Sequence, residues 1–147
     1  MLSRPLPDLQ ATEGLAAALA ARVRRGDSIL LSGPLGAGKS AFARAFLRAL
    51  TADAALEVPS PTFTLVQSYD TPRGPVHHFD LWRLTDSTAM AELGWDDATD
   101  DIVLVEWPDR LGPLTPARAL TLTLRITGDD SRAVTIEGWD DRLGDLA

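Results

Sequence analysis

The chain has 147 residues, 45% hydrophobic and 24% charged, which are the proportions of one ordinary folded domain and exclude a disordered or fibrous chain. Its 21 acidic against 14 basic side chains leave a formal charge of -7, which opposes tight nucleic-acid binding by the chain alone, and a count of zero cysteines excludes disulfides, thiolate metal sites and cysteine nucleophiles. Apolar runs stay far short of the roughly 18 residues of a membrane span and no basic-then-apolar leader opens the chain, so a cytoplasmic protein with a single domain over 1–147 is expected.

Leu2 to Leu9 carries Pro5 and Pro7 and reads as an extended edge segment, because proline cannot donate to a sheet ladder. A helix is expected next, with Thr12 as its N-cap, Leu15, Leu19 and Val23 repeating along one face, and Gly26 as its stop. Ser28 to Ser32 (SILLS) is a short apolar run of the kind found in a strand covered on both faces. Glycines from Gly33 to Gly38 break it, and a second helix runs from Lys39 to about Leu50 with Phe42, Phe46, Leu47 and Leu50 on one side.

Thr62 to Tyr69 and Pro75 to Asp80 are expected as an antiparallel pair across a turn containing Pro72 and Gly74. Leu84 to Leu93 has a weak helical pattern. Ile102 to Glu106 (IVLVE) is a second fully apolar strand ending in a carboxylate, and it belongs at the centre of the sheet. Arg118 to Thr127 alternates, placing Leu120, Leu122, Leu124 and Ile126 on one face, and Ala133 to Glu137 can return beside it across Gly128, Asp129 and Asp130. The fold class expected is α/β: a P-loop NTPase-like mixed sheet flanked by helices, with antiparallel C-terminal strands.

Of the 14 basic residues 13 are arginine, so the single lysine, Lys39, stands out. It sits in Gly33-Pro34-Leu35-Gly36-Ala37-Gly38-Lys39-Ser40, a match to the phosphate loop G-x-x-x-x-G-K-[ST] between a strand and a helix. Polyphosphate packs against backbone N–H groups only where side chains are small or missing, which accounts for Gly33, Gly36, Ala37 and Gly38. The helix N-terminus adds a positive dipole end. Lys39 can set its ammonium on the β and γ oxygens and the Ser40 hydroxyl can take one position on Mg²⁺. An ammonium at this loop-to-helix junction is expected to be exposed.

A phosphate loop needs carboxylates at neighbouring strand ends to hold the metal and orient water. Asp80 and Glu106 end their strands, and each can serve that purpose or instead cap a helix or exit to solvent. His77 and His78 are successive strand residues, so they face opposite sides and suit hydrogen-bonding or structural roles better than chelation of one ion. Asp96, Asp97, Asp100 and Asp101 read as a solvated acidic face. Trp82, Trp95 and Trp139 suit core or half-buried anchors, whereas Trp107 follows Glu106 directly and can pack beside a nucleotide.

Four ordered blocks, GPLGAGKS, SPTFTLV from Ser60 to Val66, HHFDLWRL from His77 to Leu84 and VEWPDRL from Val105 to Leu111, resemble the bacterial TsaE (formerly YjeE) ATPases of tRNA threonylcarbamoyladenosine biosynthesis. The resemblance covers Leu6 to Leu111 well and the C-terminal strands loosely. It implies a small ATPase using ATP and Mg²⁺, slow alone, that works with TsaB and TsaD and meets tRNA only through that complex. It matches Lys39 and Ser40 to the phosphate and metal residues, Glu106 to a second metal-linked carboxylate, Asp80 to an acidic position tied to ATPase function, Thr62 to a switch-like segment and Trp107 to the family tryptophan. Trp82 stands where the family has tyrosine and Ser40 where it more often has threonine. Arg132 maps loosely onto a C-terminal nucleotide contact. A small-molecule kinase would share the phosphate loop but needs an arginine-bearing lid, and no such lid helix follows Glu106. A nucleotide-gated binding module with incidental hydrolysis would need the same residues as the ATPase.

Overall fold

The computed structural model describes residues 1–144; the last three residues of the expected 1–147 domain lie outside the described residues. Strands are β1 (Leu2–Leu6), β2 (Ser28–Ser32), β3 (Val66–Thr71), β4 (Gly74–Asp80), β5 (Ile102–Glu106), β6 (Leu120–Ile126) and β7 (Arg132–Glu137). Helices are α1 (Leu9–Ala20), α2 (Lys39–Thr51) and α3 (Trp95–Ala98), with 3-10 segments at Ser87–Leu93 and Pro108–Leu114. One seven-stranded sheet has the order β1-β7-β6-β2-β5-β4-β3. Its middle is parallel (β6, β2, β5, β4), and β7, β1 and β3 add antiparallel edges. This is the expected mixed α/β sheet, with β1 at the edge, where the single proline of the strand, Pro5, is tolerated.

The two apolar five-residue runs, SILLS and IVLVE, became the two innermost neighbours, β2 and β5. Ile29, Leu31, Ile102 and Leu104 pack on the side covered by α1 and α2 together with Phe42, Phe46 and Leu47. Each such fully buried side chain contributes about 1.5–3 kcal/mol. On the other face, Leu30, Val103, Val105 and Phe79 meet Met90, Trp95 and Leu111 from the short helical segments. The sheet is thus covered by long helices on one face and by 3-10 turns and a single α-helical turn on the other.

Several expectations are corrected. Asp8, not Thr12, caps α1: its carboxylate accepts from the Ala11 N–H at 2.8 Å, while Thr12 is buried inside the helix. The helix ends at Ala20, before Gly26, because Asp27 organises the following turn, accepting from the Arg24 N–H at 2.6 Å and pairing with Arg142. The strand expected from Thr62 starts at Val66. Pro61 to Thr64 forms a turn instead, closed by the Leu65 N–H on the Pro61 carbonyl, with Leu65 left-handed at φ 70°. The weak pattern of Leu84 to Leu93 is a 3-10 segment starting at Ser87 behind an Asp86 cap. Ile126 is 49% exposed because β6 runs past the end of the core, although Leu120, Leu122 and Leu124 are buried as expected. Asp101 departs from its acidic neighbours: it pairs with Arg25 and His77. No helix among the described residues is long and apolar enough to cross a membrane.

Candidate functional site

The loop between β2 and α2 has the backbone its glycines permit. A Cβ on Gly33 would lie 2.6 Å from the Leu124 carbonyl oxygen of β6, so only glycine lets the loop leave the sheet there. Gly38 is the N-cap of α2 with φ 104°, and it has no side chain to fill the helix's first N–H groups. Those donors stay directed at a cleft of about 450 Å³, lined by Gly36, Gly38, Lys39, Ser40 and Ala41 on one side and Thr62, Asp80, Trp82, Glu106 and Trp107 on the other. Ala37 is buried and closes the loop by donating from its N–H to the Pro34 carbonyl.

Lys39 is not exposed as expected; only 6% of it reaches solvent. Its ammonium donates to the carbonyls of Gly33 and Pro34 and lies 3.9 Å from the centre of the Trp107 ring. Burial pulls the Lys39 pKa below its ordinary value, against the carboxylates of Glu106, Asp80 and Asp109, which raise it. The cation is held by three weak acceptors, two carbonyls and a ring face, all of which an anion would outbid.

Asp80 and Glu106 are register partners at the ends of two parallel strands, and both are buried. Neither exits to solvent or caps a helix of the fold. Glu106 accepts from the Ser40 hydroxyl at 3.3 Å through Oε1 and bonds His78 Nε2 at 2.7 Å through Oε2. Asp80 accepts from Thr62 Oγ1 at 3.0 Å and Ser60 Oγ at 3.5 Å through Oδ2, and from the Trp82 N–H at 3.0 Å through Oδ1. Asp80 therefore ties the 60–64 turn to the sheet, and Glu106 faces the helix.

The hydroxyl of Ser40 and the carboxylate of Glu106 are a hard-oxygen pair of the kind that suits Mg²⁺. Among the described residues no three His, Cys, Asp or Glu side chains cluster as a metal cage. That set fits an ion that keeps waters and takes its remaining ligands from phosphate.

Trp107 sits at φ 60°, a left-handed conformation that costs a bulky residue energy and aims its ring across Lys39. Trp82 packs against it with ring centres 4.5 Å apart. Arg132 does not line this cleft. It donates from Nε to the Gly36 carbonyl at 3.1 Å and holds the 128–131 turn, bordering a second cavity of about 470 Å³ with Asp8, Leu9, Thr12, Asp129 and Asp130. Gly38 and Ala41 line both cavities, so the two adjoin at the start of α2.

Lys39, Ser40, Thr62, Asp80, Glu106 and Trp107, distant in sequence, thus converge on one cleft. Ser60 joins them, His78 stands behind Glu106, and Leu9 and Thr12 border the second cavity; sequence reasoning assigned none of these four to the site. His78 alone had a partial signal, its place on the same strand face as Asp80, but its bond to Glu106 depends on the register of β4 and β5.

A strand, a glycine loop and an uncapped helix set beside two strand-end carboxylates define an α/β protein of the P-loop NTPase-like kind. The family model described as threonylcarbamoyl adenosine biosynthesis protein TsaE matches residues 6–134. Proteins named tRNA threonylcarbamoyladenosine biosynthesis protein TsaE resemble the chain closely: that of Aquifex aeolicus is 35% identical over 85% of this chain and 87% of its own length. The Rickettsia bellii protein is 33% identical over 85% and 87%, and the Bacillus subtilis protein 32% identical over 89% and 82%. The crystal structure of Bacillus subtilis YdiB superposes with a TM-score of 0.75 at 28% identity, covering 99% of this chain and 90% of that one. The chain belongs to the TsaE family, and its role lies in biosynthesis of threonylcarbamoyladenosine in tRNA.

Proposed function

We propose that the chain binds Mg-ATP at the phosphate-loop cleft and hydrolyses it in support of a TsaB/TsaD-type complex that forms the threonylcarbamoyl group on the adenosine next to the anticodon. The observation that carries this is the convergence of an uncapped α2 N-terminus, Lys39, Ser40 and Glu106 on one cleft. First-turn N–H groups of α2 would receive phosphate oxygens, and the Lys39 ammonium would leave the carbonyls of Gly33 and Pro34 for them. Ser40 and Glu106 would hold the metal, which supplies charge neutralisation on the phosphates when bound. Thr62, held by Asp80, would sense the terminal phosphate. The second cavity, with Leu9 and Arg132 on its walls, adjoins the phosphate loop and has room for base and sugar.

Trp82 on the cleft wall is exposed, so a partner that covers the cleft there would exclude water and add the charges phosphoryl transfer needs. A net charge of -7 fits contact with tRNA only through that complex. The test is steady-state phosphate release with and without TsaB and TsaD at fixed Mg²⁺ and salt. Turnover is expected to be low alone and to rise with the partners, and Trp107→Ala should reduce the rise more than it lowers thermal stability. High turnover by the lone protein, indifferent to partners, would defeat the proposal and favour a stand-alone hydrolase or kinase. A second arm, complementation of a TsaE-depleted strain with anticodon-loop modification read by mass spectrometry, should restore the modification.

A further inference from the structure

His78 is the one histidine of the site, and its surroundings are unusual. It is 2% exposed, on the face of β4 that looks toward α2, one step before Asp80 on the same side. Nε2 lies 2.7 Å from Glu106 Oε2, while Nδ1 is buried with no hydrogen-bond partner among the described residues. A carboxylate oxygen accepts, so Nε2 carries the hydrogen in this bond. A hydrogen on Nδ1 as well would bury an orphan donor, whereas a bare lone pair there costs less. The geometry thus sets the ring's hydrogen on Nε2, with one donor and one use for it.

From this we infer that His78 is a positioning residue for Glu106: by engaging Oε2 it turns Oε1 toward Ser40 and the cleft. Glu106 has two oxygens and two partners, and the two are divided cleanly, Oε2 to His78 and Oε1 to the Ser40 hydroxyl at 3.3 Å. Asp80, its register neighbour, is occupied by Thr62, Ser60 and the Trp82 N–H and gives Glu106 no support. Without His78 the Glu106 carboxylate would have only the long Ser40 bond and could rotate about its last torsion, which is broad and twofold for glutamate. Stability alone does not explain the pair, since apolar side chains of similar volume usually serve a core as well as a buried polar pair. Groups that hold a ligating carboxylate from behind typically change metal affinity about 10- to 100-fold when removed.

The inference rests on the Mg²⁺ reading of Ser40 and Glu106, and its test separates the two. Long-range ¹H–¹⁵N spectra of the nucleotide-free protein should show His78 as the Nε2–H tautomer; an Nδ1–H tautomer would overturn the proposal whatever the protein binds. Calorimetric titration of ADP in EDTA, then of Mg²⁺ into the ADP complex, should compare wild type with His78→Leu and His78→Gln. His78→Leu is expected to weaken the Mg²⁺ step about 10- to 100-fold while leaving ADP affinity in EDTA nearly unchanged, and His78→Gln, which keeps an N–H donor at similar reach, to recover most of the loss. Equal weakening with and without Mg²⁺, or no recovery with Gln, would mean a structural role only. An unchanged Mg²⁺ step in His78→Leu would also defeat the proposal. Wild-type protein that binds ADP but shows no Mg²⁺ step would instead defeat the metal assignment, with the tautomer still reporting on Glu106. Should His78→Leu fail to fold, an Nδ1–H wild-type spectrum, or a Gln variant whose Mg²⁺ step is weakened as much as its ADP affinity in EDTA, would still overturn the proposal.

Discussion

His77 and His78 are adjacent on β4, and each bonds a carboxylate, at 3.0 Å from Asp101 and 2.7 Å from Glu106, but strand alternation sends them to opposite faces of the sheet. On the outer face His77 is fully engaged, with Ser68 Oγ 2.7 Å from Nδ1, and Arg25 on the other oxygen of Asp101 at 3.0 Å. Partly exposed members of that cluster can complete their bonding with water. On the inner face, between the sheet and α2, His78 keeps one nitrogen bare, Glu106 holds a long bond, and Lys39 rests on carbonyls and a ring. The same residue types are satisfied where water reaches and left short of partners where the cleft is built.

The largest effect should come from the inner face. Lys39→Ala removes the only ammonium side chain at the phosphate loop, and nucleotide affinity should fall by on the order of a hundredfold, the scale of one charged hydrogen-bonding group. Calorimetry on the two proteins decides it, and equal affinities would remove Lys39 from the site. Glu106→Ala is expected to cost about 1–3 kcal/mol in urea unfolding, because the His78 donor is left buried without an acceptor. Glu106→Gln, which keeps an acceptor oxygen, should restore most of that stability without restoring Mg²⁺ dependence. If both variants are as stable as wild type, the inner pair is not what holds His78.

Effects on the outer face should be smaller and confined to stability. The bond to His77, then the Arg25 guanidinium, holds the Asp101 carboxyl below the usual carboxylate range. A folded pKa depressed in this way adds stability above the ordinary carboxylate pKa, which is lost as the pH falls through that range toward the folded value. Asp101→Asn should therefore flatten the acid limb of the stability profile relative to wild type, while Mg²⁺-dependent nucleotide binding stays unchanged. Parallel acid limbs in urea melts across pH would refute the assignment. Ser68→Ala, at an exposed position, should change stability by no more than about 0.5 kcal/mol. A loss of nucleotide binding in that variant would erase the distinction between the faces.

Local signals were legible where local physics decides the outcome. SILLS and IVLVE became β2 and β5 with the bounds their apolar runs suggest, since a strand buried on both faces has no other way to hide such side chains. GPLGAGKS placed the loop and the start of α2, because positive-φ glycines and an uncapped helix end are written in consecutive residues. The TsaE resemblance rested on the same kind of contiguous blocks.

Contacts between distant segments were decided only in three dimensions. The turn at Pro61–Thr64 exists because hydroxyls of Ser60 and Thr62 bond Asp80, eighteen or more residues further on, so strand-like composition could not show that β3 begins at Val66. Lys39 is buried because Trp107, in a left-handed conformation, lays its ring on it from the end of β5. His78 belongs to the site because β4 and β5 run parallel in a register that sets Asp80 against Glu106, which brings the ring of His78 within reach of one oxygen. Sequence by itself determined the strand, loop and helix that carry the chemistry, through propensity and spacing along the chain. Which side chains surround that chemistry depended on sheet register and packing, which no spacing along one segment encodes.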